Sequence, residues 1–580
     1  MKTIRLSEYG ILPHTDITLK LFDLFEQNKE NTEFVFEDAD YYFSPNDAKR
    51  IDYRISNSDA MPHRTLAILL ESMKNCVIRG NGTRLWLSGQ MQVFTLDHCE
   101  NIKIEGFTVN WKKPLVAEGR VVAKRNAEID VFINPEFFPH RFNSDNLEFD
   151  TGSDEWYPFV KSVIVFEPNG LRTRRGVSDV DIKNILPLGE SVYRLNLYND
   201  DDIHVGDLLN MRHNARIHAG IFTEKCSDIT IENVTFHSCG GLGCLSQFCH
   251  NMTYRAVHFL PDKQSGRMVS SGRDDGMHIT CNSGTVTITD CTFHALMDDP
   301  INVHGCYVTS DEVVDDRTLR CRYRHPQAGG FLYWAEEGDE ISFISRSAME
   351  SIGKARAVSY KLEDYMTFTL TFDAPLPKEI LDKAAAGNSL ALDNLTHTAS
   401  FVCTNNRFGS CRARGVLIST PKPVLISNNY FESSGSAILV AGDSNQWFES
   451  GECHDVEISH NVFTDTCVSS YYQFCDGVIS ICPVVPQPDV NKPFHKNIRI
   501  TDNIFDTVGD PILYAFSCEN LEVSGNRIFK SPSTPYEAEE KEPILLSYCK
   551  DVHISDNKWI GNFEKLEHSE SNCQNVESDI

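Results

Sequence analysis

The sequence predicts an all-β chain, a right-handed parallel β-helix (solenoid) carrying two inserted small β-barrel domains. Three observations lead there. A short motif beginning at Cys and ending at an aromatic residue recurs along most of the 580 residues. Two long stretches interrupt it and then let it resume. Two Asp-Asp pairs stand 24 residues apart, about one turn of such a coil, and the residues after them also correspond.

The motif reads Cys226-Ser-Asp-Ile-Thr-Ile-Glu-Asn-Val-Thr-Phe236 and returns at Cys249–Phe259, Cys453–Phe463, Cys518–Ile528 and Cys549–Trp559. Cys99–Ile104 opens the same way, and 283–293, 421–431 and 495–505 match without the Cys. Most copies hold Asn or Asp at a turn, a short alternating strand such as Val456 and Ile458, then Asn and an aromatic side chain. Alternation at period two sends the apolar members inward and the polar ones out. The Cys and Phe positions are therefore expected to form core ladders. Asn461, Asn503, Asn526 and Asn557 share one position, expected to be a tight corner where Asn adopts the left-handed conformation.

From the amino terminus, residues 1–112 hold a cap and the first turns. An amphipathic helix at about 20–31 precedes strand-like 33–36 and 41–43 and is expected to close the open end of the coil, as solenoids require. Residues 113–215 lose the motif and alternate as β-strands (Ser162–Phe166, Tyr193–Leu197), ending Gly206-Asp-Leu-Leu-Asn-Met211. The motif resumes at 216–306 with the Asp pairs. It breaks again at 307–398, which carries Gly338-Asp-Glu-Ile-Ser-Phe343 and ends Gly387-Asn-Ser-Leu-Ala-Leu392. Both interruptions are read as β-barrels, the second walling whatever the Asp pairs do. Turns continue over 399–565, and 566–580 is read as a loosely ordered polar tail.

A net charge of −28 argues against nucleic acid and anionic membranes as partners, since both need a basic footprint. No apolar run is long enough to span a bilayer, and Met1-Lys-Thr-Ile-Arg-Leu-Ser-Glu lacks a signal-peptide stretch. With 19 cysteines, many at apolar motif positions, reduced thiols and a cytoplasmic location are expected, with export after trimming of a leader as the alternative. No Cys-x-x-Cys pair points to structural zinc.

Asp274-Asp275-Gly-Met-His278-Ile aligns with Asp298-Asp299-Pro-Ile-Asn302-Val, followed by His304. On a coil whose strands lie about 4.8 Å apart, the pairs stack on neighbouring turns and crowd four carboxyls together. Crowding raises the pKa of at least one of them, which supplies the acid that glycoside hydrolysis needs beside an ionised carboxylate. Calcium-assisted elimination from an acidic sugar is a second chemistry, with Arg273 as its base, and turn-capping is the structural alternative. Two clusters lie downstream, Cys411-Arg412-Ala-Arg414-Gly415 and Gly442-Asp-Ser-Asn-Gln-Trp447-Phe-Glu449-Ser-Gly451. Trp447 suits stacking on a sugar face, and Arg412, Arg414 and Glu449 suit hydroxyl groups. With the second interruption folded aside, the arginines stack over the Asp298 turn.

These Asp turns, the Arg-x-Arg-Gly turn, the Trp-x-Glu-Ser-Gly loop and the two inserted barrels resemble glycoside hydrolase family 110, from about residue 10 to 565. The resemblance implies removal of terminal α-1,3-linked galactose from oligosaccharides by an inverting mechanism that uses no metal or other cofactor. It implies Asp298 as general acid, with Asp275 and Asp299 positioning and deprotonating the water. By adjacency Asp274 and Arg273 then fall to sugar binding or carboxylate positioning, and His278, Asn302 and His304 to sugar binding. A β-helical lyase or hydrolase of another sugar, and a non-catalytic glycan binder, are the alternatives. The broad flat faces of such a coil suit a homodimer.

Overall fold

The computed structural model describes all residues except 62, 175, 433–434, 465–473, 508–510 and 531–540. The chain winds as a parallel coil with one 22-stranded and one 14-stranded sheet. A typical turn contains Val424–Ser427, a corner, Tyr430–Phe431, a loop, and the second-sheet strand Ile438–Val440. Successive turns keep strict register. In the second sheet Met277 pairs with Ile301, Ile301 with Val416, Val416 with Ile438 and Ile438 with Ile479.

The apolar motif positions stack inside. Phe236, Phe259, Phe293, Phe408, Phe431, Phe463 and Phe505 form one column of near-parallel rings, with centroids 4.4 to 5.8 Å apart. The motif cysteines are buried and free. Cys226 and Cys249 each accept, at Sγ, the backbone N–H of the Cys one turn earlier.

The asparagine corner differs from the expectation. Its left-handed residues are Asn428, His460, Asp502 and Asp556, each one place before the shared Asn. Asn429, Asn461, Asn503 and Asn526 instead point inward. The Oδ1 of Asn461 accepts the backbone N–H and the Nδ2–H of Asn429, both at 3.0 Å. Asn503 does the same for Asn461, and Asn526 for Asn503. The remaining Nδ2–H of Asn461 donates to the Ile426 carbonyl. Side-chain amides thus satisfy main-chain groups that the corner withdraws from the strand ladder.

Helix Thr18–Glu26 buries Leu21, Phe22, Leu24 and Phe25 against the first turn. At the other end the polar tail is a further turn. His568–Ser571 pairs with Ile544–Ser547, and Gln574–Ser578 with Lys550–Ser555. Backbone pairing needs little apolar content, which composition alone missed.

Each interruption contains a closed six-stranded antiparallel barrel. The first runs from Val116–Arg125 to Leu208–Arg212, the second from Val308–Asp315 to Leu390–Asn394. Neither disturbs the coil's register. Ile221 resumes beside Phe94 and Ala399 beside Gly284. Replacing Phe463 by Ala in the stacked column is expected to cost about 3–5 kcal/mol, read by denaturant unfolding, while leaving catalytic competence at permissive temperature.

Candidate active site

Four-residue parallel pairing of Met277–Thr280 on Ile301–His304 turns the 24-residue spacing into geometry. His278 lies beside Asn302, and the Asp pairs occupy equivalent places in the loops just before these strands. Val416 follows Ile301 in register, so Arg414 occupies the place above Asp299. Its backbone N–H and its Nη2 donate to the two Asp299 oxygens, both at 2.9 Å. Arg412 donates through Nη1 to Asp298 Oδ1 at 3.2 Å and through Nε to Asp179 at 2.7 Å.

These groups border a cavity of about 370 Å³ lined by Asp275, His278, Asp298, Asp299, Asn302, Arg412, Arg414, Trp447 and Glu449, nine of the twelve residues the sequence singled out. Arg273, Asp274 and His304 do not line it. Arg273 grips both oxygens of Asp274 at 2.8 and 2.7 Å and donates to the Asn214 carbonyl. It is therefore not free to act as the base of an eliminative reaction.

Glu449 arrives by a two-residue antiparallel bridge, Cys306 to Glu449 and Gly305 to Ser450. The turn before it is shaped by Asp443, whose carboxylate accepts backbone N–H groups of Asn445, Gln446 and Trp447. Trp447 is 43% exposed and lies 4.8 Å from the His325 ring of the second barrel. That barrel also adds Gln327 to the wall, and the first adds Ser178 and Asp179. The first barrel further anchors the approach to Arg273. Buried Glu118 accepts the backbone N–H groups of Met268 and Val269 and the Ser270 hydroxyl.

Arg216 is the major residue that motif reading missed. Its Nη2 donates to Asp275 at 3.1 Å, and its Nε lies 3.7 Å from Asp274. The signal was present, since Arg216 follows the return from the first barrel as Arg414 follows the return from the second.

The carboxyls divide by environment. The Asp298 side chain is 25% exposed, against 4% for Asp275 and 3% for Asp299. Burial pushes Asp275 up to about 8 against the pull of Arg216, with Asp298 and Asp274 adding to the rise. Burial likewise raises Asp299 to about 8 against Arg414. Asp274 is also buried, yet Arg273, Arg216 and Arg212 hold it below the usual carboxylate range. Burial acts to raise Glu449, but the charges of His304, His278 and Arg414 and the Asn302 bond leave it lowered.

A ring nitrogen of His278, one of His304 and a carboxylate oxygen of Glu449 lie within 4.8 Å of one another, a spacing from which a cation could be held. The two nitrogens are 2.9 Å apart. That is shorter than the roughly 3.3 Å edge of a tetrahedron built on zinc–nitrogen bonds of about 2.0–2.1 Å. It matches a shared proton.

The family model of GLAA-B beta-barrel domain II matches residues 318–383, and that of the right handed beta helix region matches 387–558. Alpha-1,3-galactosidase B of Bacteroides thetaiotaomicron is 36% identical over 97% of this chain and 91% of its own length. The chain belongs to glycoside hydrolase family 110. Within that family, alpha-1,3-galactosidase B of Phocaeicola vulgatus is 30% identical over 96% of this chain and 95% of its own. Alpha-1,3-galactosidase A of Bacteroides fragilis is 27% identical over 96% and 92%. In this glycoside hydrolase, Arg216→Met removes the charge that draws Asp275 down. The acidic limb of the kcat/KM–pH profile is expected to move to higher pH, because the carboxylate then forms only at higher pH.

Proposed function

We propose that this glycoside hydrolase removes terminal α-1,3-linked galactose from the non-reducing end of oligosaccharides, with inversion at the anomeric carbon. One observation carries the assignment of roles. Each of the stacked carboxyls at the cavity meets an arginine, but Asp298 alone is substantially open to it, while Asp275 and Asp299 are buried. Asp298 is the acid that protonates the glycosidic oxygen. Asp275 and Asp299 hold the water and take its proton. Carboxyls on adjacent turns, offset by one residue, suit the separation of about 6.5–9.5 Å at which a water fits between acid and base.

Binding groups surround them. Asn302 Oδ1, Arg216 Nε and Arg414 Nε are buried and have no hydrogen-bond partner among the described residues, on side chains that line the cavity. Sugar hydroxyls are their natural partners, since a buried donor or acceptor left empty costs about 1–3 kcal/mol. Trp447 offers a ring face to the sugar's apolar side. The names of the relatives supply the linkage and the sugar.

Proton NMR of the purified enzyme with Galα1-3Gal and the fucosylated B trisaccharide, in excess chelator, tests this reading. Early β-galactose is expected, and the ratio of the two rates reads whether the branch is needed. Early α-galactose would overturn inversion, and no cleavage of either would overturn the substrate. Asp298→Asn is expected to lower kcat by about 10²–10⁴-fold or more with the unfolding midpoint unchanged. Turnover at the wild-type level would remove Asp298 from the mechanism.

A further inference from the structure

From Asp275 a line of hydrogen bonds runs through two buried imidazoles. Asp275 Oδ2 lies 2.7 Å from His278 Nδ1. His278 Nε2 lies 2.9 Å from His304 Nε2, and His304 Nδ1 lies 2.5 Å from the Gly305 carbonyl. Both imidazoles are buried, with 1% and 3% of their side-chain surface exposed. His304 Nε2 ends 3.5 Å from the Glu449 carboxylate.

The protons of this line can be counted. A carbonyl only accepts, so His304 Nδ1 carries a proton. Two bare imidazole nitrogens repel at 2.9 Å, so one proton lies between the two Nε2 atoms. A carboxylate oxygen and a bare nitrogen repel likewise, so one lies between Asp275 and His278. Three protons on one aspartate and two histidines leave the trio neutral overall. An arrangement with His278 as the imidazolium is disfavoured by its burial, which leaves two. In one, Asp275 is a neutral acid and both imidazoles are neutral. In the other, Asp275 is a carboxylate, His278 is neutral with its proton on Nδ1, and His304 is an imidazolium beside Glu449.

We propose that His278 and His304 form a proton relay that ionises Asp275 by moving its proton to a position beside Glu449. The proton on Asp275 Oδ2 passes to His278 Nδ1 while the Nε2 proton of His278 passes to His304 Nε2. No proton enters or leaves the trio, and His278 is neutral before and after. The first arrangement cannot serve as a base, whereas the second can. The inference rests on the role given to Asp275 under the proposed function, and it makes the two histidines positioning residues that act through that carboxyl.

The surroundings favour such a device. Burial holds His278 well below the ordinary histidine range, consistent with its neutrality in both arrangements. Burial also raises Asp275, so ionisation there needs an outlet for the proton. The charged groups facing the line are Arg216, Asp274, Asp298, Asp299, Arg414 and Glu449. Glu449 stands at the far end, where it stabilises the imidazolium. It also accepts from Asn302, which lines the sugar cavity. Sugar that engages Asn302 therefore touches the group that stabilises the displaced proton.

The test has two parts. Nitrogen-15 NMR of histidine-labelled wild-type protein without sugar is expected to show one strongly deshielded proton coupled to nitrogens of two imidazoles. Separate, freely exchanging imidazole protons would overturn the relay, as would a metal ion found stoichiometrically bound to the two Nε2 atoms. This part needs no substrate, so it stands or falls apart from the galactosidase reading. In the second part, His304→Gln removes the proton acceptor at the end of the line. It is expected to lower kcat at least tenfold near pH 6–7, with KM within threefold, and to shift the acidic limb of the kcat profile upward by a unit or more. The solvent-isotope proton inventory is expected to change from curved to linear. An active His304→Gln variant with the wild-type profile and inventory would overturn the proposal. Should that variant not fold, His278→Gln is measured in the same way against the same criteria.

Discussion

The arrangement of the site depends on one constraint, the parallel register of Met277–Thr280, Ile301–His304 and Val416–Ile418. Backbone hydrogen bonds lock neighbouring turns at about strand spacing, so side chains at equivalent positions cannot drift apart. Asp275, Asp299 and Arg414 are successive occupants of one place in the coil. The chemistry comes from letting that place change from carboxyl to carboxyl to guanidinium over three turns. A one-residue slip anywhere in this block would turn the functional groups away from the cavity.

Register alone would produce an intolerable concentration of negative charge. The chain answers with arginines from outside the repeating positions as well as within them. Arg216 meets Asp275, Arg273 meets Asp274, and Arg412 and Arg414 meet Asp298 and Asp299. Arg216 and Arg273 stand at or near the return from the first barrel, and Arg412 and Arg414 follow the return from the second. Buried ion pairs of this kind contribute little net stability once desolvation is counted. Their value lies in fixing which carboxyl is open and which is enclosed. The barrels complete the division by supplying Asp179 and Gln327 to the wall.

The sequence disclosed whatever repeats with the coil. The stacked Asp pairs and the His278–Asn302 pairing follow from counting residues between motif copies, and the arginines of the 411–415 turn were expected over the Asp298 turn, though not Arg414 on Asp299 itself. Glu449 and Trp447 were visible as a cluster but not as neighbours of Asn302 and His325, because a loop and a barrel edge bring them there. Asp179 was missed for the same reason, since strand order within a barrel leaves no period to count, whereas Arg216, past the end of the first barrel, was legible by analogy with Arg414. The asparagine corner was located correctly but given the wrong cause. Residue preference suggested a backbone conformation, whereas the structure uses the side-chain amide. The acidic tail illustrates the converse, because the last turn depends on main-chain pairing that polar composition does not reveal.

The asparagine column has a direction. Every Oδ1 accepts both bonds from the turn before it, and none are returned. Asn406 in turn caps Cys291, so the line extends back into the turns that precede the second barrel. The coil is therefore not interchangeable end for end. Cutting it after any of these turns strands two donors on the new last turn, while the turns upstream keep theirs filled. Loss of order is thus favoured from the carboxyl end inward. For a ribosome making the chain from the other end, each new turn arrives carrying the acceptor that the previous one lacks.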